Sequence, residues 1–465
     1  MRTDHDIGLS PPGDTEPAPI AVPKGDPQFD PDATGTVMLE FSRSIFDESV
    51  PDGEPRQQTN VLTTWIDASN VYGSDLERAD ALRTGVDGRM KVSLGNLLPF
   101  NEEALENEDP FGRPPESLFI AGDIRVNEQI GLVSFHTLFV REHNRLAALF
   151  KDAIPCLSDE EIFQRARRVV GAEMQAITFN EFVPAILGDN GLAPYAGYNP
   201  SVDGTLFTEF TTAAFRLGHT MLSSNLSLLA NDGSDVAGGS IPLRDSFFNT
   251  EFILENGLDA ILKGLSAQQM QRVDLLVIDD LRNFLFGEPG DGGRDLPSTN
   301  IQRGRDHGLA DYNAVRQALG LARKESFGEI TGESATAGTL EAIYSTVDNI
   351  DLWVGLLAEP LEDGSSVGEA LGALLRLQFQ NLRDGDRFFY SSDPVLVSIL
   401  AEIGLTLEDF EASSRLSSII MQNTFLTDLQ ENVFFASCQG SAQVGAGLAF
   451  FLLIRLLLLL FGFGC

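Results

Sequence analysis

Apolar residues recur at helical spacing in several long stretches of the chain, and this periodicity most constrains the fold. The pattern i, i+3, i+4, i+7 is clearest in residues 129–151, 159–186, 205–222, 258–285 and 367–382. The alternation typical of strands is rare, so the sequence predicts a mainly α fold. Residues 7–36 are rich in Pro, Gly and Asp and favour irregular backbone. No repeat or composition break divides residues 1–437, which we expect to form one large helical domain.

The charge balance excludes one class of partner. The 465 residues include 68 acidic and 32 basic side chains, which gives a formal net charge of −36. Such a field repels phosphate backbones, so nucleic-acid binding is not expected. Three scattered cysteines are too few for a disulfide framework or a thiolate metal cluster. Stability is therefore expected to come from core burial.

The sequence leads to different predictions for the N-terminal and C-terminal ends of the chain. No signal peptide is visible before the first motif, and we expect the natural protein to begin upstream. Residues 438–465 form an apolar C-terminal tail, and its segment 444–465 is long enough to cross a bilayer core as a helix. Arg455 near its middle argues against insertion. A membrane anchor, a buried helix and an artefact of the sequence end all remain open.

Five histidines limit the search for an iron ligand to His5, His136, His143, His219 and His307. His219 is the best candidate, because Arg216 on the same helical face could pair with a haem propionate. Taken alone, a helix histidine is more often a satisfied core residue. We expect His136 and His143 to form packing hydrogen bonds, since a metal pair prefers a spacing of four. The polar segment around His307 could bind an anion, although a role in joining loops is favoured.

A set of motifs in a fixed order resembles the animal-type haem peroxidases of the peroxidase-cyclooxygenase superfamily. The resemblance runs from Asp4 to about Phe435. The motifs that carry it are Asp4-His5-Asp6, residues 62–74, Ala121-Gly122-Asp123-Ile124-Arg125, His136-Thr137-Leu138, residues 141–146, Phe215-Arg216-Leu217-Gly218-His219-Thr220, residues 300–308, residues 349–353 and residues 382–387. One such motif is weak evidence, whereas the ordered set is specific.

The resemblance implies a peroxidase in which haem lies between a distal and a proximal helix. His5 would take the proton from hydrogen peroxide and return it to the departing oxygen. Arg125 would stabilise the negative charge that develops as the O–O bond breaks. His219 would be the proximal iron ligand, and Asn349 would accept its other ring N–H. The oxidised donor would be a halide, thiocyanate or a phenol-like molecule.

The resemblance also implies how the cofactors are held. Asp4 and Glu128 match the carboxylates that are ester-linked to haem in mammalian members, so either haem b or ester-linked haem is expected, and an ordinary hydrogen bond is the alternative for both residues. Met1 stands in place of the family's distal glutamine, which leaves halide oxidation open. A calcium site is implied at oxygen donors of the distal aspartate and of one loop, with Trp65 contributing its carbonyl: Asp6, Thr63, Trp65, Asp67 and Ser69.

Two other functions would require different residues from those in this chain. Fatty-acid oxygenation by relatives of this superfamily needs a tyrosine three residues before the proximal histidine, and this chain has Arg216 there. A non-catalytic matrix or adhesion protein is the other alternative, but such a protein would not need His5, Arg125, His219 and Asn349 together. We expect a secreted or extracellular protein, with membrane attachment dependent on the tail. The oligomeric state is left open.

Overall fold

The computed structural model describes residues 16–51, 53–58, 62–189 and 191–436. Within these ranges the chain is mainly helical, as predicted. The α-helices are α1 Ser69–Tyr72, α2 Leu76–Ala81, α3 Ile130–Ala153, α4 Asp159–Ile177, α5 Val183–Leu187, α6 Thr208–Thr212, α7 Leu243–Ser246, α8 Thr250–Asn256, α9 Asp259–Ala267, α10 Asp279–Arg282, α11 Leu296–Asp306, α12 Tyr312–Ala318, α13 Phe327–Thr331, α14 Ser334–Tyr344, α15 Leu352–Ala358, α16 Glu369–Asp384, α17 Pro394–Glu402, α18 Leu407–Ser413 and α19 Leu416–Asn423.

Shorter elements connect these helices. Two antiparallel hairpins are formed by β1 Ile20–Ala21 with β2 Met38–Leu39, and by β3 Asn225–Leu229 with β4 Asp235–Pro242. Single 3₁₀ turns or segments occur at Leu94–Asn96, Pro115–Ser117, Ala214–Thr220, Val347–Asn349 and Tyr390–Ser392, and a π-helical turn occurs at Thr178–Phe182. Strand β1 packs against α11, and β3 packs against α9.

The two longest helices, α3 and α4, pack against each other and confirm the predictions for 129–151 and 159–186. Helix α3 begins where the Gln129 side chain accepts a hydrogen bond from the Gly131 N–H at 2.6 Å. Helix α4 begins with a capping box formed by Ser158 and Glu161, preceding a strongly apolar face. It passes through the π turn into α5, so one apolar pattern extends across three helical segments of two types.

Two predicted helices are interrupted. Residues 205–222 form α6 and then the 3₁₀ segment Ala214–Thr220, because the backbone at Ala213 leaves the helical region with φ −130° and ψ −70°. Residues 258–285 form α9 and α10 separated by an irregular connection. Here Gln268 ends α9 and binds strand β3 instead, accepting from the Ser227 N–H at 3.0 Å and donating to the Asn225 carbonyl at 2.7 Å.

The core of the described residues is continuous and rich in phenylalanine. Phe215, which precedes His219, stacks on Phe210 with ring centroids 4.7 Å apart. Phe379 of α16 and Phe182 of the π turn meet Phe215 edge to face. Aromatic pairs of this kind add about 0.5–1.5 kcal/mol each beyond area burial. The 3₁₀ segment that carries His219 is therefore held by the core rather than by long helical hydrogen bonding.

Candidate active site

His219 lies at the centre of a buried hydrogen-bonded group assembled from distant parts of the chain. Its side chain is 3% exposed. The ring Nδ1 lies 2.7 Å from Nδ2 of Asn300 on α11. The Nη1 atom of Arg216 donates to Oδ1 of the same asparagine at 2.9 Å. Because arginine has no acceptor atom, the Arg216 contact sets the orientation of the Asn300 amide.

The structure corrects the predicted partner of His219. Asn349 is exposed, and its Nδ2 donates to the Tyr344 carbonyl at 3.3 Å rather than approaching His219. The motif 349–353, which contains Asn349, contacts the site through Trp353. The indole N–H of Trp353 donates to the Arg216 carbonyl at 3.4 Å. Asn300 stood in the motif 300–308, but spacing along the chain could not show which of two asparagines faces the imidazole.

A second buried group surrounds Arg125. Its Nε donates to Oδ1 of Asp123 at 2.9 Å and its Nη2 donates to Oδ2 at 2.7 Å. Burial alone would raise the pKa of the Asp123 carboxyl, but the charge and hydrogen bonds of Arg125 outweigh burial and lower it. Asp123 is therefore ionised at neutral pH and fixes the guanidinium in one orientation.

His136 of α3 belongs electrostatically to the Arg125 group. Burial lowers the pKa of His136 to about 4, Asp123 opposes that shift, and Arg125 reinforces it. Its ring is therefore neutral at pH 7. The Asp123 N–H donates to the Asn70 carbonyl at 3.0 Å, so helix α1 also borders this group. Gly122 permits that approach, because a Cβ there would lie 2.4 Å from Gly73 N.

Polar atoms near Arg125 fit a site that receives another group. In the described part of the chain, both amide atoms of Asn70 and Nε2 of Gln129 are buried without a hydrogen-bond partner. Burying an amide without compensation costs on the order of 1–3 kcal/mol, so native structures usually provide a partner. Glu128 is also buried, at 1% exposure.

Several predicted residues lie outside the described residues. Asp4, His5 and Asp6 fall within 1–15, and the apolar tail falls within 437–465. The predicted distal histidine and the two aspartates beside it therefore stay predictions. Among the residues described, no helix is both long enough and apolar enough to span a bilayer.

The predicted calcium loop folds back on itself. The Trp65 N–H donates to the Thr63 hydroxyl at 3.1 Å, and the Ser69 N–H donates to Oδ1 of Asp67 at 3.0 Å. Burial raises the pKa of Asp67 despite hydrogen bonds from Ser69 and Thr63. Among the described residues, no group of three or more His, Cys, Asp or Glu side chains is arranged so that it could hold a metal ion. Calcium binding here stays a prediction.

The other two described histidines have the structural roles expected from the sequence. His143 lies between the Tyr72 hydroxyl, 2.8 Å from Nδ1, and the Gly88 carbonyl, 2.7 Å from Nε2. His307 lies 2.8 Å from the Ser44 hydroxyl and 3.2 Å from that of Thr212. Both rings connect segments far apart in sequence, which confirms the packing interpretation.

Comparison with known proteins identifies what this arrangement is similar to. A sequence model described as animal haem peroxidase matches residues 3–434. Peroxinectin A of Dictyostelium discoideum is 36% identical over 402 residues, covering 83% of this chain and 74% of that protein. Myeloperoxidase of Mus musculus is 36% identical over 476 residues, covering 93% of this chain but only 64% of the relative.

Solved structures give the same result. Peroxidase A from Dictyostelium discoideum superposes with a TM-score of 0.83 and 34% identity, covering 90% of this chain and 82% of that one. A fatty acid alpha-dioxygenase from Oryza sativa superposes with a TM-score of 0.72 at 22% identity, covering 88% of this chain and 70% of that one. At that identity the second likeness concerns the fold alone.

Proposed function

Because the chain belongs to the animal haem peroxidase family and is an enzyme of that class, we propose that it reduces hydrogen peroxide at a haem bound by His219 and oxidises a small donor. The donor classes proposed are a halide, thiocyanate or a phenol. The observation that carries this proposal is the contact between His219 and Asn300. A buried amide at Nδ1 sets the ring orientation, as a proximal ligand needs. Here Nδ2 of Asn300 faces Nδ1, so the amide would have to turn its oxygen toward the ring when iron binds at Nε2.

The residues present fit haem on the His219 side. A neutral imidazole is a suitable iron ligand. Iron binding at Nε2 requires the ring proton on Nδ1, so Asn300 would then present Oδ1 to the imidazole. The Arg216 guanidinium would leave the amide, and we propose it for a haem propionate. When bound, haem supplies the iron at which the peroxide bond is cleaved and the oxidising equivalents are held.

The groups on the other side would manage protons and charge. His5 would remove the proton from the peroxide oxygen and deliver it to the leaving oxygen. Arg125 would stabilise negative charge on that oxygen, and its ion pair with Asp123 orients the guanidinium before the reaction begins. Buried surroundings strengthen this electrostatic interaction relative to water. His136, neutral at pH 7, adds no competing positive charge beside Arg125.

We also propose how the haem is attached and where calcium binds. Asp4 and Glu128 are proposed to bind the haem periphery, either as esters or through hydrogen bonds, and the burial of Glu128 supports its contact with a cofactor. The loop containing Thr63, Trp65, Asp67 and Ser69, with Asp6, is proposed for calcium. A bound divalent cation would offset the cost of burying the Asp67 carboxylate.

The biological setting is proposed from the relatives. The chain spans 74% of peroxinectin A but 39% of porcine thyroid peroxidase, so the whole activities of the longer relatives are not transferred to it. A secreted or extracellular peroxidase is the setting we propose. The apolar tail could add a membrane contact.

An absorbance spectrum of purified protein tests the proposal. Protein expressed with ample iron and haem precursor should show a Soret band and should oxidise a phenolic dye only when peroxide is added. A non-catalytic adhesion protein instead predicts no peroxide-dependent oxidation, and a haem-free one predicts no Soret band. Folded protein that shows neither property would contradict the peroxidase proposal.

A further inference from the structure

A separate cavity of about 770 Å³ lies over the outer face of α4. Its walls come from α4, from the loop at Trp65–Asp67, from residues 385–388 and from the beginning of α17. Its volume falls within the range of small-molecule sites, roughly 300–1,000 Å³. Its lining includes neither His219 and Asn300 nor Arg125 and His136. The cavity therefore requires an explanation apart from the haem site.

Apolar side chains are exposed around this cavity. Phe388 is 47% exposed, Tyr198 is 41% exposed and Val395 is 53% exposed. The indole of Trp65 forms another wall and packs so closely on Gly204 that a Cβ there would lie 2.3 Å from Trp65 Cη2. Covering such rings with a ligand contributes about 25 cal/mol for each Å² removed from water. Flat aromatic walls favour a flat ligand, which can stack on them.

The cations of the cavity divide into two kinds. Arg165 donates to Glu402 at 2.6 Å, and Arg168 pairs with Asp393. Arg167 and Arg387 line the same cavity, and neither makes an ion pair or donates a hydrogen bond to another described residue. The Arg387 guanidinium lies 4.4 Å from the centroid of the Phe388 ring, so a cation and an exposed ring are presented together.

Two cavity carboxyls do not cancel these cations. Asp386 accepts hydrogen bonds from Gln175 Nε2 at 2.8 Å and from the Phe388 N–H at 2.7 Å, and Asp67 accepts from Ser69. Both carboxyls accept hydrogen bonds from the protein, and neither forms an ion pair with Arg167 or Arg387. The Arg167 guanidinium also lies 5.4 Å from the centroid of the buried Tyr72 ring, so Arg387 is the more accessible of the two cations.

A larger cavity beside Arg141 of α3 offers a contrast. It measures about 1060 Å³ and is also lined by basic side chains. There the Arg141 guanidinium donates to the backbone carbonyls of Gly95, Asn96 and Asn423, each at 2.9 Å. Arg145 pairs with Glu142. Arg141 and Arg145 thus have protein acceptors with which an anion would have to compete, whereas Arg89 of the same cavity is exposed and makes no ion pair among the described residues.

We propose that the cavity over α4 binds an aromatic carboxylate, with the carboxylate at Arg167 and Arg387 and the ring against Phe388 and Trp65. Two guanidinium groups recognise a carboxylate through charge-assisted hydrogen bonds. A hydroxycinnamate has the required size, ring and charge. Its phenol would also make it an electron donor, a consequence that rests on the proposed peroxidase function. Binding itself does not depend on that function.

Equilibrium dialysis of the full chain with 4-hydroxycinnamate tests this proposal. We expect saturable binding, and binding at least about tenfold weaker for Arg387→Gln and Phe388→Ala, since one lost ion contact or ring contact is worth on the order of 1.4 kcal/mol or more. Arg387 is exposed, so its substitution should leave folding intact. Arg272→Gln removes another exposed arginine outside the cavity and should bind like wild type.

Two control ligands distinguish the contribution of the carboxylate charge to binding from that of the aromatic ring. The neutral 4-hydroxycinnamyl alcohol and the aliphatic hexanoate should each bind much more weakly than 4-hydroxycinnamate. Equal binding of the alcohol would overturn the role of the arginines, and equal binding of hexanoate would overturn the aromatic specificity. Absence of saturable binding up to about 1 mM would overturn the site itself. A normal Soret band and dye oxidation in that case would leave the peroxidase proposal standing.

Discussion

The His219 group and the Arg125 group are both buried, but they are built differently. His219, Arg216 and Asn300 are joined by contacts between residues 81 and 84 positions apart, and Trp353 adds a contact across 137 positions. Arg125 and its main partner Asp123 are only two residues apart. The first geometry depends on tertiary packing, whereas the second is largely local. Substitutions in the His219 group should therefore reduce haem retention, whereas substitutions on the Arg125 side should slow the reaction.

The largest expected effect is the loss of haem from His219→Ala. Alanine offers no ligand atom, and no backbone group can replace an imidazole at that position. The Soret band should disappear from the purified variant, while far-ultraviolet circular dichroism should retain the helical signal. A variant that kept normal haem absorbance would refute the assignment of the iron ligand.

His5→Ala should affect chemistry without removing haem. The Soret band should remain, and the rate of peroxide cleavage measured by stopped-flow absorbance should fall by ~10²–10⁴, the usual contribution of a positioned acid-base group. Unchanged peroxide cleavage would reject the distal role of His5. Loss of haem in this variant would contradict the proposed difference between the two groups.

The corrected partner of His219 gives a matched pair of asparagine variants. Asn300→Ala removes the amide beside Nδ1 and should weaken haem affinity or activity by roughly 10–100-fold, as expected for groups that orient a metal ligand. Asn349→Ala removes an exposed amide that contacts only a backbone carbonyl, and both properties should stay near wild type. The reverse result would restore the assignment based on sequence.

The smallest expected effect concerns the stability of the fold and is expected at Glu181, in the π turn that also contains Phe182. Burial raises the pKa of Glu181 to about 7 from an ordinary 4.5, although the Leu416 N–H donates to it. Between these pH values the folded protein binds more protons than the unfolded chain, so this group's contribution to stability is lost as pH rises toward 7.

Glu181→Gln should therefore raise the free energy of unfolding at pH 8 by about 1–3 kcal/mol and change it little at pH 4. Urea unfolding at both pH values measures the difference. Glu408→Gln, an exposed acid on α18, serves as the control and should change stability little at either pH. A Glu181→Gln variant that was less stable than wild type at pH 8 would show that the carboxylate, and not the neutral acid, is the favoured form.

The sequence by itself determined the helical class, the helices α3, α4 and α16, and the family. Helical periodicity and capping residues act over a few positions, so they can be read along the chain. The resemblance of ordered motifs to the family identified His219 and Arg125 as candidate site residues. The packing roles of His143 and His307 followed from local reasoning about histidine. The same reasoning predicted packing hydrogen bonds for His136 and was wrong, because neither of its ring nitrogens has a hydrogen-bond partner among the described residues.

Only the tertiary structure decided which groups touch. Asn300 and Asn349 both stand in family motifs, and nothing in their local sequence tells which one reaches an imidazole at position 219. The end of α9 at Gln268 and the 3₁₀ geometry before His219 likewise depend on partners far along the chain. Side-chain contacts across such separations arise from the packing of whole helices and strands. A sequence pattern that spans a few residues does not determine them.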